Sequence, residues 1–294
     1  MSKKGLGNSE GGTSMCERSV SRHEVRDLNL PRHRERLMKA IESDLQNDDD
    51  VLAAFYGGSI GNENVDLYSD IDLRIVVKTK KINEYVSNKL TRPRKWGNML
   101  YFEDTYPSSI YTVVHFDCFV KVDTFYFRQE DIASSVWLKN IKIIKDTNAM
   151  LVNVLDKSKL LSYEPTIEEI ELWRTKFFAH LHEAYRRTMR EEYYYALQSM
   201  DNLRLSMITA WYMEAGVQPN TFGDWSKYEG ERSELVDWQQ SLLKSWACGR
   251  NPMEITAVMK SIAAEFIKVH KSLCDRLEVD EDPEWVNKII GLVI

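Results

Sequence analysis

Gly57-Gly58-Ser59, followed eleven residues after the serine by Asp70-Ile71-Asp72, is the stretch with the clearest chemical capacity in this chain. Gly58 lets backbone amides come close to phosphate oxygens, and the Ser59 hydroxyl adds a donor. Side chains two apart on a strand point the same way, so Asp70 and Asp72 can share a divalent cation. Mg2+ prefers oxygen ligands and is commonly held by one or two carboxylates together with substrate phosphates. The layout therefore suits nucleotidyl transfer, in which metal ions bind the attacking and leaving oxygens of a displacement at phosphorus. A third carboxylate on a neighbouring strand would complete the site. Asp123 stands at the polar phase of a later strand and is the candidate. Asp117 competes, but its place in a turn predicts a solvated side chain.

These groups need strands to hold them. Val51 to Tyr56 reads as a short buried strand stopped by Gly57-Gly58. Ile71 to Val77 alternates, with Ile71, Leu73, Ile75 and Val77 on one face and Asp70, Asp72 and Arg74 on the other. Residues 81–90 suggest a short helix. Ser109–Phe116 and Phe119–Phe127 read as a β-hairpin turning at Asp117-Cys118, with strand content ending near Phe127. Ahead of them, Leu37, Ile41 and Leu45 lay one apolar stripe along a charged helix that ends at Asp48-Asp49-Asp50, expected to be solvated. The basic stretch Arg92-Pro93-Arg94-Lys95 reads as a solvated loop.

After Thr166 the periodicity becomes helical, in the stretches 167–190, 193–215, 233–247 and 253–277. The fold class is thus α+β: a mixed sheet flanked by helices, then a helical bundle. Residues 1–22, rich in Gly, Ser and charge, are expected to be disordered, and Met15 offers an alternative start. The boundary between the two domains falls between Asp156 and Thr166, giving 23–160 and 161–294.

The chain has 294 residues, 43% hydrophobic and 29% charged, with a formal net charge of −6. That balance argues against a general nucleic-acid binder and suits a cationic substrate. No apolar run approaches the ~20 residues of a membrane span. Four dispersed cysteines, Cys16, Cys118, Cys248 and Cys274, fit unpaired thiols in a reduced cytoplasm.

Gly58-Ser59 with Asp70-x-Asp72 and the later Asp123 resembles the nucleotidyltransferase superfamily of the DNA polymerase β type. Tyr111 to Asp123 and Asp146-Thr147-Asn148-Ala149-Met150-Leu151 look like the antibiotic nucleotidyltransferases that modify streptomycin or lincosamides. Arg190-Glu191-Glu192-Tyr193, Leu203-Arg204 and Met207 to Trp211 are similar to the helical lobe of aminoglycoside 6-adenylyltransferases. The resemblance spans residues 35–275. It implies a sheet domain that binds Mg2+ and ATP and a helical substrate-binding domain. A hydroxyl of a small molecule such as an aminoglycoside would attack the α-phosphorus, and pyrophosphate would leave.

By that likeness Asp70, Asp72 and Asp123 bind metal, Gly58 and Ser59 touch the triphosphate, and Lys227 reaches phosphate. Several such enzymes take the hydroxyl proton with a carboxylate early in the helical lobe. Gln198 stands there in this chain and cannot act as a base. Either Glu192, Glu191 or Asp201 serves instead, with Glu192 taken as the base, or the substrate differs, or the alignment is off by a turn. His180 and His182 point to different sides of a helix, and His115 has no evident Cys or His partner, so all three are expected to be structural. The rival readings are a transferase that puts AMP on a protein and a non-catalytic nucleotide-binding module.

Overall fold

The computed structural model describes residues 23–103, 106 and 108–294, so the expectation for residues 1–22 lies outside it. The chain forms two compact units, Met1–Leu161 and Ser162–Ile294.

The alternation of Ile71 to Val77 builds the centre of the first unit. Its strand β2 (Ile71–Val77) lies between β1 (Val51–Tyr56) and β5 (Lys121–Arg128). The full order is β3-β4-β5-β2-β1-β6, with β3 at Met99–Phe102, β4 at Tyr111–Phe116 and β6 at Lys142–Asp146. Only β2 and β5 pair in parallel; the other neighbours are antiparallel, which makes the sheet mixed. A short helix α1 (Glu24–Leu28) precedes α2 (Leu30–Gln46). Leu37, Ile41 and Leu45 of α2 pack with Ile71, Leu73, Ile75 and Val77 in one core. On the opposite face Ala53, Phe55 and Val76 form a smaller core with Leu151 of α5 (Met150–Lys159), while Asp72 and Arg74 share the phase of Val76. In chain order α3 (Gly58–Gly61) and α4 (Ile82–Ser87) come between α2 and α5, and Ile60 and Tyr85 join the first core.

Strand content does not end near Phe127. β6 pairs with β1, and the Asp146 carboxylate then accepts the amides of Met150, Leu151 and Val152 at 2.9, 2.9 and 3.1 Å, starting α5. Its residues, Lys-Ile-Ile-Lys-Asp, carry too little alternation to signal an edge strand that exists because β1 needs a partner. The hairpin is shifted as well: Phe119 adopts φ 62°, and β5 begins only at Lys121.

The expected solvated segments are also corrected. Asp48 accepts the Tyr85 hydroxyl at 2.6 Å and Arg92 Nη1 at 2.8 Å, while Asp44 accepts Arg92 Nε at 2.7 Å. Asp50 pairs with Lys78 at 2.9 Å. The acidic run and the basic stretch thus fasten the end of α2 to the segment after α4.

The second unit is helical. α6 (Ile167–Met189) is started by a capping box in which Thr166 and Glu169 exchange hydrogen bonds. α7 (Tyr193–Glu214), α8 (Asp237–Ser245), α9 (Pro252–Leu277) and α10 (Pro283–Ile290) follow. Trp173 and Phe177 of α6 pack on Phe266 of α9, and Trp173 Nε1 donates to the Ser206 carbonyl of α7 at 2.8 Å. α10 is an unexpected addition whose Val286 and Ile290 are buried. His180 stacks on Phe222 and His182 Nε2 meets the Ile289 carbonyl at 2.9 Å, so the two rings do serve different sides.

Candidate active site

The parallel pairing of β2 and β5 sets Asp72 directly against Asp123, on the same face of the sheet. Gly57 follows β1 and donates its amide to the Asp72 carbonyl at 2.9 Å, which brings the glycine turn to the start of β2. Gly58 adopts φ +53°, and a Cβ there would come within 1.8 Å of Asp72 Oδ2. No other residue type fits without displacing that carboxylate. Ser59 is buried, and its Oγ has no hydrogen-bond partner. Asp70 is held from behind: buried Arg34 of α2 donates to the Ser69 carbonyl at 2.8 Å and fixes the approach to the strand.

Lys121 joins this group. Its Nζ lies 3.1 Å from Asp70 Oδ2 and 3.1 Å from Asp123 Oδ2. Burial works against the ammonium, but the Asp123 and Asp70 carboxylates outweigh it and hold the amine above its ordinary pKa. Burial pushes the Asp123 carboxyl up to about 6 despite the pull of Lys121. Asp123 Oδ1 is buried with no partner. Arg74 Nη1 stands 3.7 Å from Asp72 Oδ1, with its guanidinium 4.2 Å from the Phe125 ring centroid.

Gly58, Ser59, Asp70, Asp72 and Asp123 are therefore brought together. Asp117 stays in the β4–β5 turn, exposed, accepting Asn98 Nδ2 at 3.1 Å. Glu192 and Lys227 belong to the second unit. Glu192 precedes α7 and accepts Arg187 Nη1; Lys227 lies in a loop at φ 63°. Gln198 is exposed on α7, and Asp201 pairs with Arg204 at 2.6 Å.

Sequence reasoning missed Lys121, whose signal was its spacing two residues before Asp123 at the same strand phase. It also missed the partner of His115, which is a carboxylate: Nε2 lies 2.6 Å from Glu103 Oε1, and the ring stacks on Tyr101. Beside Asp70 a cavity of about 210 Å³ is lined in part by Tyr68, His115, Phe119 and Lys121.

Among the described residues no group of three or more His, Cys, Asp or Glu already stands in a metal-holding arrangement. The residues nevertheless fit a hard divalent cation. The donors are carboxylate oxygens, one buried oxygen of Asp123 is unpartnered, and the missing side chain of Gly58 lets the Asp72 carboxylate lie against the turn.

A family model described as streptomycin adenylyltransferase matches residues 31–290. The chain belongs to the streptomycin adenylyltransferase family. This family member is accordingly a nucleotidyltransferase, of the aminoglycoside adenylyltransferase type. Comparison with curated proteins gives no match. Among solved structures it is similar to an aminoglycoside 6-adenyltransferase from Bacillus subtilis, with 13% identity, 87% of this chain and 95% of that one covered, and TM-score 0.43. It is also similar to a nucleotidyltransferase-like protein from Exiguobacterium sibiricum, with 12% identity, 83% and 78% coverage, and TM-score 0.42.

Proposed function

We propose that this protein transfers AMP from Mg-ATP to a hydroxyl of an aminoglycoside and releases pyrophosphate. The observation that carries the reading is the Asp72–Asp123 register with Gly58 packed against the Asp72 carboxylate. The acceptor oxygen forms a bond to the α-phosphorus, and the bond from that phosphorus to the bridging oxygen breaks. Pyrophosphate leaves with the electron pair, and the hydroxyl proton passes to a base.

Asp70, Asp72 and Asp123 are the residues that would hold Mg2+, which when bound neutralises the triphosphate and polarises its α-phosphate. Gly58 and Ser59 receive phosphate oxygens through the backbone and the unpartnered hydroxyl. Arg34 and the β2–β5 pairing keep the carboxylates in place, so positioning carries much of the rate. In the same proposal Lys227 binds phosphate and Glu192 takes the proton, which requires it to share or release Arg187. The setting is the cytoplasm, which supplies ATP and keeps thiols such as Cys118, Cys248 and Cys274 reduced.

Incubation with Mg-ATP and a panel of aminoglycosides, streptomycin first, should release pyrophosphate in step with an adenylylated product. D70N and D72N should each abolish turnover. Full activity in both variants would remove the site assignment.

A further inference from the structure

The position of Lys121 bears on how many ions the site takes. Its ammonium lies between Asp70 Oδ2 and Asp123 Oδ2, 3.1 Å from each. An Mg2+ ion bound by those two oxygens would need to sit about 2.0–2.1 Å from each. The ammonium and such an ion would compete for the same lone pairs and repel one another at close range. Lys121 is not on a loose segment: β5 is paired with β2 on one side and with β4 on the other, where Lys121 stands opposite His115. Asp123 Oδ1 is buried without a partner, and Asp72 is its register neighbour.

From this geometry we infer that Lys121 is a resident cation of the site, replacing one divalent ion between Asp70 and Asp123, so that the site binds one ion and not two. The inference rests on the Mg-ATP reading above. Lys121 acts as a positioning residue: it neutralises and orients Asp70 and Asp123, which narrows the ligand set proposed above, since Asp70 then serves the site through Lys121 while Asp72 and Asp123 Oδ1 would hold the one ion.

The test counts ions. The full chain is saturated with the non-hydrolysable probe α,β-methylene-ATP, and bound Mn2+ is counted by electron paramagnetic resonance. The wild type is expected to bind one Mn2+ per chain, and K121R, which keeps a cation, one as well. K121M is expected to bind two, with thermal melting confirming that both variants fold. Two ions in the wild type, or one in K121M, would overturn this inference and leave the nucleotidyl-transfer reading intact. A wild type that bound no Mn2+ would overturn both.

Discussion

Asp123 sits where a carboxylate is costly to keep. One of its oxygens is buried with no partner, the other is held by Lys121, and burial raises its pKa to about 6. Such groups are retained where function needs them, at the expense of stability. D123N should therefore abolish pyrophosphate release and yet stabilise the EDTA-treated protein by about 1–3 kcal/mol, since the amide removes a buried charge. A lower melting point than wild type would show that the charge is well compensated. Gly58 makes the complementary case. G58A must push the Asp72 carboxylate aside and hold a non-glycine residue at φ +53°. Turnover should fall at least about 100-fold, as for other small misplacements of catalytic groups, and urea unfolding should show a loss of about 1 kcal/mol or more. Full turnover in G58A would remove the glycine from the site. Gly58 and Asp72 were legible in the sequence because the glycine and the carboxylate pair are local patterns. Lys121 was not, because a lysine on an alternating strand reads as a solvent-facing residue until β2 and β5 are placed in register.

At the scale of elements, what the sequence hid was long-range. β1 and β2 announce themselves by apolar content and alternation, but β6 is an edge strand defined by its pairing with β1. Lys89 illustrates the same limit. It is 2% exposed, and its Nζ donates to the carbonyls of Tyr106, Ser109 and Tyr111 at 2.7, 2.9 and 3.2 Å. The amine thus ties down the approach to β4, a role without a sequence signature. K89M should destabilise the first unit by about 1–3 kcal/mol, because three part-buried carbonyls lose a charged donor; unchanged urea unfolding would contradict the anchoring role. In the second unit His270 is fully buried on α9, stacked near Phe266 and Trp173, with Arg174 Nη1 at 3.4 Å and Cys274 Sγ at 3.5 Å. Burial first and Arg174 second push its pKa down, with Glu281 and Glu171 opposing. A folded pKa below the unfolded value means that the unfolded chain takes up the proton first. The contribution is complete above about pH 6.5 and is lost as pH falls below it. Urea unfolding at pH 7.5 and 5.5 should show the wild type losing more stability on acidification than H270F. Equal losses would assign the acid sensitivity elsewhere.

At the scale of the molecule, the sequence conveyed the order of a mixed-sheet half and a helical half because the hydrophobic period changes after Thr166. It did not convey that Glu192 is paired with Arg187, because that pairing is set by the turn between α6 and α7. No helix among the described residues is long and apolar enough to cross a membrane. The net charge of −6 and the isoelectric point near 5.7 leave the protein anionic at neutral pH. Aminoglycosides are polycations, so a proposed acceptor of this class would be drawn in by the summed field before any specific contact forms. Raising ionic strength from about 0.01 to 0.15 M shortens the Debye length from about 30 to about 8 Å. The KM for streptomycin should then rise several-fold, while the KM for Mg-ATP, itself an anion, should not rise in parallel. A streptomycin KM unchanged across that range would mean that acceptor binding depends on short-range contacts alone, and the acidic character of the chain would have no part in it.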